Sequence, residues 1–312
     1  MTSLALVAER ARERSQNPRV DGVLERLLRL YPRAIDLDMG RLRVLLEKLG
    51  HPERRLAPVL HVAGTNGKGS TCAFARAIAE AAGLRTQVYT SPHLVDFNER
   101  IRLTDGLVDK VMLAETLEAV ERVNAGAAVT VFEVITAAAF RLFAADPADL
   151  CILEVGLGGR GDATNVIDRP AVCAITAISI DHRDFLGDSL SGIAAEKAGI
   201  IKPGVPVVTG VQAPEVLAVI AEHAAQQGAR LFARNRAAAL ALTCRGASAR
   251  QCGHCDSRLA GLGPRPSGGC LRPRRGAGGV ARTDAEARRS AGGHAAGRLG
   301  ALAGRRAQSW RR

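Results

Sequence analysis

The chain has 312 residues, enough for one large or two ordinary domains, and its net charge of +12 points to a nucleic-acid or membrane partner. That signal is local: residues 236–312 hold 16 Arg, no Lys and 3 acids, which leaves residues 1–235 near neutrality with 27 basic and 28 acidic side chains. No stretch approaches the apolar length of a membrane span, residues 4–8 are too short for a secretory h-region, and Cys72, Cys151 and Cys173 lie singly among apolar neighbours, as reduced thiols of a cytoplasmic protein do.

Residues 20–50 carry helical periodicity, closed by Gly50 and Pro52. The rhythm then changes to short apolar runs alternating with helical stretches. "PVLHVAG" (58–64) predicts a strand, "STCAFARAIAEAAG" (70–83) a helix and "RTQVYT" (85–90) a second strand. After a long loop come helices over 109–124 and 132–145, then the strands "DLCILEV" (149–155) and "AVCAITAISI" (171–180). A helix over 189–200, the strand "VPVVTG" (205–210) and a helix over 214–227 complete the alternation. Continuous apolar strands between helices define an α/β fold, a P-loop-type parallel sheet flanked by helices on both faces. Ligands of such sheets sit at the carboxyl ends of the strands, where this sequence puts its glycines and polar residues.

Residues 1–235 are expected to form this domain. Residues 236–312 contain no Ile, Phe, Tyr or Met and one valine, Val280. Such a segment cannot bury enough apolar surface to offset its ordering entropy, about 1–2 kcal/mol per residue, and a disordered tail is expected. A GC-rich gene read out of frame would yield this Arg/Ala/Gly/Pro composition. "CGHC" (252–255) lacks the strand and helix that a redox dithiol needs on its flanks, and reads as chance.

"HVAGTNGKGST" (61–71) looks like a phosphate-binding loop with altered spacing. The common spelling G-x-x-x-x-G-K-[ST] puts the hydroxyl directly after the lysine, whereas here Gly69 separates Lys68 from Ser70 and Ala63 stands in place of the first glycine. A buried strand that ends in glycines and opens a helix aims backbone N–H groups at an anion. Lys68 would neutralise β/γ-phosphates, and the Ser70 or Thr71 hydroxyl could reach Mg²⁺. The plain alternative is a tight turn with a solvated lysine. Downstream, "TSPHLVDFNERIRL" (90–103), "LEVGLGGRGDATNVI" (153–167) and "ISIDHRDFLGDSLSGIAAEKAGIIKPG" (178–204) each follow an apolar strand and present oxygen- or nitrogen-bearing side chains at the same edge.

Together, "GTNGKGS", "SPHL", "FE", "LEVGLGGRGDATNV" and "DH…EKAGI" resemble the folylpolyglutamate synthase/dihydrofolate synthase family, relatives of the Mur ligases, over about residues 19–231. The altered loop spelling is that family's form. The resemblance implies a Mur-ligase-like ATP-binding domain and an ATP-dependent amide ligase, a cytoplasmic monomer acting on small molecules: ATP, L-glutamate, and a folate or dihydropteroate. It implies that Gly64, Thr65, Asn66, Gly67, Lys68, Gly69 and Ser70 hold the ATP phosphates. Ser91, Glu154 and His182 would bind Mg²⁺, and Lys197, carbamylated, would be a carboxylate-like ligand for a second metal, with Lys68, His182 and Lys197 counted as catalytic. Thr130, Val131, Phe132, Glu133, Gly161, Asp162 and Ala163 would contact the pterin-bearing substrate.

Each residue also has an ordinary structural reading. Ser91 could start a turn, Glu154 could pair with Arg160, Asp181 and His182 could share a structural hydrogen bond, and Lys197 could face solvent. Three departures from the family pattern carry expectations. Gly161 replaces a bulky residue and implies a looser substrate loop, Arg183 adds positive charge beside the presumed metal, and nothing in the tail matches the family's second domain, so the 312-residue chain is expected to lack ligase activity. A P-loop nucleotide-binding protein with a nucleic-acid-binding tail is the alternative.

Overall fold

The computed structural model describes residue 15, residues 17–30 and residues 37–233. The expectations for the tail, for "CGHC" and for residues 31–36 lie outside the described residues.

In chain order the elements are α1 (Pro18–Leu30), α2 (Gly40–Lys48), β1 (Val59–Ala63), α3 (Lys68–Ala81), β2 (Thr86–Tyr89), β3 (Ile101–Leu103), β4 (Gly106–Leu107), α4 (Lys110–Asn124) and α5 (Val131–Ala145). They continue with β5 (Leu150–Glu154), β6 (Val172–Ile175), the one-turn α6 (Arg183–Leu186), α7 (Leu190–Ala198), β7 (Val207–Thr209), α8 (Pro214–Gln226) and β8 (Leu231–Ala233). The strands form one sheet in the order β4-β3-β2-β5-β1-β6-β7-β8. From β2 to β8 all neighbours are parallel, and β3 and β4 add an antiparallel edge.

Three expectations are corrected. The long loop after residue 90 contains the β3–β4 hairpin. The strand expected over 171–180 stops at Ile175: Thr176 N–H still bonds Ala63 O at 2.8 Å, and beyond it Ala177 O takes the N–H groups of Thr65 and Asn66 instead of a sheet partner. One strand more than expected, β8, pairs with β7 at the far edge.

The alternation of side chains along each strand divides the core. Val59, Tyr89, Cys151, Leu153, Cys173, Ile175 and Val207 are buried on one face, under α1, α2, α4 and α5 on one half and α7 and α8 on the other. Val62, Val88 and Ile152 point to the opposite face, where α3 lies on them through Cys72 and Ala75. Coverage of the two faces is thus unequal among the described residues, and Val208 and Phe232 stay 45% and 43% exposed.

Register aligns the functional strand ends. Val62 lies opposite Glu154 on one side and Ala174 on the other, so the segment after Ala63 emerges between Glu154 and Thr176. The helices that follow have definite starts: Asp109 caps α4 through Val111 and Met112 N–H (2.8 and 3.1 Å), and Ser189 caps α7 through Gly192 N–H (2.9 Å). No helix among the described residues is long and apolar enough to cross a membrane.

Candidate functional site

β1 is buried as far as Gly64, where the backbone takes φ +145°. A Cβ there would lie 1.8 Å from Thr176 Oγ1, so the turn accepts only glycine. Its carbonyl receives two ammonium groups, Lys68 Nζ at 3.1 Å and Lys197 Nζ at 3.0 Å. Thr65 and Asn66 turn their N–H groups to Ala177 O (3.0 and 3.1 Å), and their side chains bond Ser179. The loop is therefore fastened to the segment after β6. Gly67, at φ +84°, opens α3, which has no side-chain N-cap. The first intrahelical bond is Thr71 N–H to Gly67 O at 2.9 Å. The amides at Lys68, Gly69 and Ser70 thus project from an uncapped positive helix end, with Asn66, Gly67, Gly69 and Ser70 exposed. The structure divides the expected loop: residues 64–66 anchor it, and residues 67–70 carry the amides an anion would meet. Thr71 donates its hydroxyl to Gly67 O at 2.8 Å, which leaves Ser70 as the exposed hydroxyl.

Glu154 ends β5 against the first turn of α3, where a Cβ on Gly69 would stand 3.7 Å from its Oε1. It is 5% exposed and accepts Ser91 N–H at 3.2 Å, while Arg160 pairs with Glu196 at 3.4 Å. Burial raises the Glu154 pKa above the usual carboxylate range, against the opposing pull of the Ser91 amide and Lys68. A desolvated carboxylate beside the helix end, joined to a serine, fits the hard-oxygen chemistry of Mg²⁺, which keeps waters and takes few protein ligands beside phosphates.

Lys197 is buried rather than solvent-facing. Burial, then Lys68, pushes its pKa down to about 8. His182 sits in a left-handed turn (φ +49°), exposed, with its contact to Asp181 at 3.6 Å. Arg183 pairs with Asp188 at 3.7 Å, so part of its expected charge is answered away from Glu154. Among the described residues no three His, Cys, Asp or Glu side chains form a metal cluster. The structure brings Ser91 to Glu154 and Lys197 to the loop, and it leaves His182 in an exposed turn.

The residues expected to meet the pterin are organised by backbone bonds. Thr130 caps α5 by accepting Glu133 N–H (3.2 Å), and Glu133 accepts Thr130 N–H (2.6 Å) and pairs with Arg41 (3.3 Å). Val131 is buried in the first turn, and Phe132 fills the space over Gly156, where a Cβ would be 2.5 Å from its ring. Asp162 is 2% exposed and accepts Leu157 N–H, Thr164 N–H and the Thr164 hydroxyl (2.9, 2.9 and 2.6 Å), with buried Ala163 between. Gly161 is not loose: a Cβ there would lie 2.5 Å from Leu37 O, so close backbone approach replaces the expected slack. Gly159 packs equally tightly on Glu196 O and Lys197, and Arg160 N–H bonds Glu196 O at 2.9 Å, which joins this loop to the helix carrying Lys197.

Sequence reasoning missed two buried groups. His61 Nε2 lies 2.8 Å from Thr164 Oγ1 beneath the Asp162 loop, and a lone histidine in an apolar strand was the available signal. Arg100, 2% exposed, donates to His93 Nδ1 at 3.0 Å, while Glu99 turns its carboxylate to the amides of Leu94, Val95 and Asp96.

A largely parallel sheet whose first strand runs into a glycine–lysine turn at an uncapped helix defines a P-loop-type α/β domain. The Mur ligase middle domain profile matches residues 62–239, more than half of the chain, and the chain belongs to that family. It is 44% identical over 204 residues to the dihydrofolate synthase/folylpolyglutamate synthase of Bacillus subtilis, covering 62% of this chain and 46% of that protein. To the dihydrofolate synthetase of Saccharomyces cerevisiae it is 40% identical, covering 64% and 48%. Among solved structures, E. coli FolC in complex with DHPP and ADP superposes with a TM-score of 0.65 at 37% identity, over 70% of this chain and 52% of that one. The chain thus spans about half the length of the curated relatives it matches.

Proposed function

We propose that the chain is an ATP-dependent carboxylate–amine ligase of the folylpolyglutamate synthase/dihydrofolate synthase type, joining L-glutamate to a folate or dihydropteroate. The observation that carries this reading is the uncapped α3 end with Lys68 on one side and desolvated Glu154 on the other. In the reaction a substrate carboxylate takes the γ-phosphoryl group of ATP, ADP leaves, and the glutamate amine then displaces phosphate to form the amide. The protein's part is positioning and charge neutralisation. Residues 67–70 and Lys68 would hold the phosphates, and Ser91 and Glu154 would hold Mg²⁺, which supplies Lewis-acid neutralisation of phosphate charge. Lys197, as the carbamate, would add an anionic ligand. The reading includes a monomer in the cytoplasm, consistent with the buried free thiols of Cys72, Cys151 and Cys173.

Two outcomes test it. Mg²⁺-dependent binding of AMPPCP, measured by calorimetry, is expected to weaken by about 10–100-fold in Lys68→Met with the fold unchanged, since a charge-assisted phosphate contact is lost. Absence of AMPPCP binding by the unaltered chain would sink the nucleotide reading. The 312-residue chain itself is expected to show no turnover, because among the described residues Asn66, Gly67, Gly69, Ser70 and the His182 turn are exposed and nothing shields an acyl phosphate from water. ATP-dependent incorporation of labelled glutamate into a folate would refute that expectation.

A further inference from the structure

A cavity of about 560 Å³ lies between α3, the end of β2 and the turn after it. Gly69, Ala73 and Arg76 recur along α3 at helical spacing and all line this space. The first two are too small to fill it, and Arg76 closes its far end. Arg102 reaches the same end from the sheet: it pairs directly with Val88 across β2 and β3, so both side chains lie on the α3 face. Glu154 lines the near end, against Gly69. Arg76 lies seven positions along α3 from Gly69, so the cavity extends roughly 10 Å from the phosphate loop.

The charges at the far end are only partly answered. Arg76 makes a loose pair with Glu80 at 3.7 Å, and among the described residues no carboxylate stands within ion-pair distance of Arg102. Glu99 also lines the cavity, but its carboxylate is held by the backbone amides of residues 94–96. Burial first, and then the neighbouring Arg76 guanidinium, lower the Arg102 pKa from its ordinary value, with Glu80 acting in the opposite sense.

We propose that Arg76 and Arg102 form a carboxylate subsite that holds the acidic, glutamyl-type tail of the substrate. This rests on the ligase reading, and it adds to it the class of group held away from the reacting centre. Two guanidinium forks suit planar carboxylates, and a γ-glutamyl chain presents one carboxylate per unit along a flexible, elongated body.

The experiment uses the full chain and calorimetry with tri-γ-glutamate, its uncharged triamide, inorganic phosphate and Mg²⁺–AMPPCP. Tri-γ-glutamate is expected to bind, the triamide not to, and Arg102→Gln to weaken binding by about tenfold or more. Arg76→Gln should weaken it less, because Glu80 already answers part of that charge. AMPPCP binding serves as the fold control for each variant, and Arg102→Lys should retain part of the affinity. A chain that binds AMPPCP but not tri-γ-glutamate would overturn the subsite and leave the nucleotide reading standing. Equal tri-γ-glutamate binding by Arg102→Gln, or inorganic phosphate competing as well as the peptide, would also overturn it. Arg102-dependent peptide binding without AMPPCP binding would keep the carboxylate site and remove the ligase reading.

Discussion

Gly64→Ala is expected to destabilise the domain by about 2–4 kcal/mol and to abolish measurable AMPPCP binding. Two causes act together. The position has φ +145°, a region essentially closed to side chains, and the added Cβ would lie 1.8 Å from Thr176 Oγ1 and 2.9 Å from its Cβ. Relief requires β1 and the segment after β6 to part, and that segment holds the loop through Ala177 O and Ser179. The Gly64 carbonyl would move with the backbone, taking the acceptor shared by Lys68 and Lys197. Urea unfolding and calorimetric titration check both parts. Gly67→Ala is the contrast: nothing stands within 4 Å of its Cβ position, so only backbone strain at φ +84° opposes it. A Gly64→Ala protein that binds AMPPCP normally would show that the Thr176 contact does not hold the loop.

That loop shows what could be read from the sequence and what could not. Glycines, a lysine and a hydroxyl after an apolar run identify a strand-to-helix turn facing an anion, and Glu154 at the end of another apolar run lands beside it because parallel register aligns the two strand ends. What holds the turn comes from elsewhere in the chain. The Ala177 carbonyl lies inside the stretch expected to be strand, and no local pattern marks the residue at which β6 turns away. The β3–β4 hairpin escaped for a related reason: "IRLTDGL" holds two very short strands, and Arg102 faces a cavity where alternation would favour an apolar residue. The sheet was expected to be covered on both faces, and how unequal that coverage is could not be read, because strands buried on both faces and strands half covered both read as apolar runs. Gly161 was misjudged for want of Leu37: a missing side chain signals slack in a sequence, yet the space can be filled by another backbone.

The second large effect is an acid sensitivity carried by His61. The hydroxyl of Thr164 has one proton, which it donates to Asp162 Oδ1 at 2.6 Å, so its oxygen accepts from His61 Nε2–H at 2.8 Å. Nδ1 is left buried with no hydrogen-bond partner among the described residues. Protonating it would place an unpaired N–H and a charge in the core, and Lys202 adds to the penalty, so the pKa falls from 6.5 to about 3. Between these values the unfolded chain binds a proton that the folded chain does not. Stability is therefore full above about pH 6.5 and declines as pH falls toward 3, at about 1.4 kcal/mol per pH unit. Burial raises the Asp162 and Glu154 pKa values, which acts in the opposite sense by favouring the folded state on acidification. His61→Gln separates these contributions, since glutamine can still donate to Thr164 but does not titrate. The difference in unfolding free energy between the two proteins should be constant above pH 7. Between pH 6 and 4 it should shift toward the variant by about 2–3 kcal/mol, read from urea unfolding at each pH. A constant offset would mean the folded protein takes up the proton at His61, and that the core opens to water there before the domain unfolds.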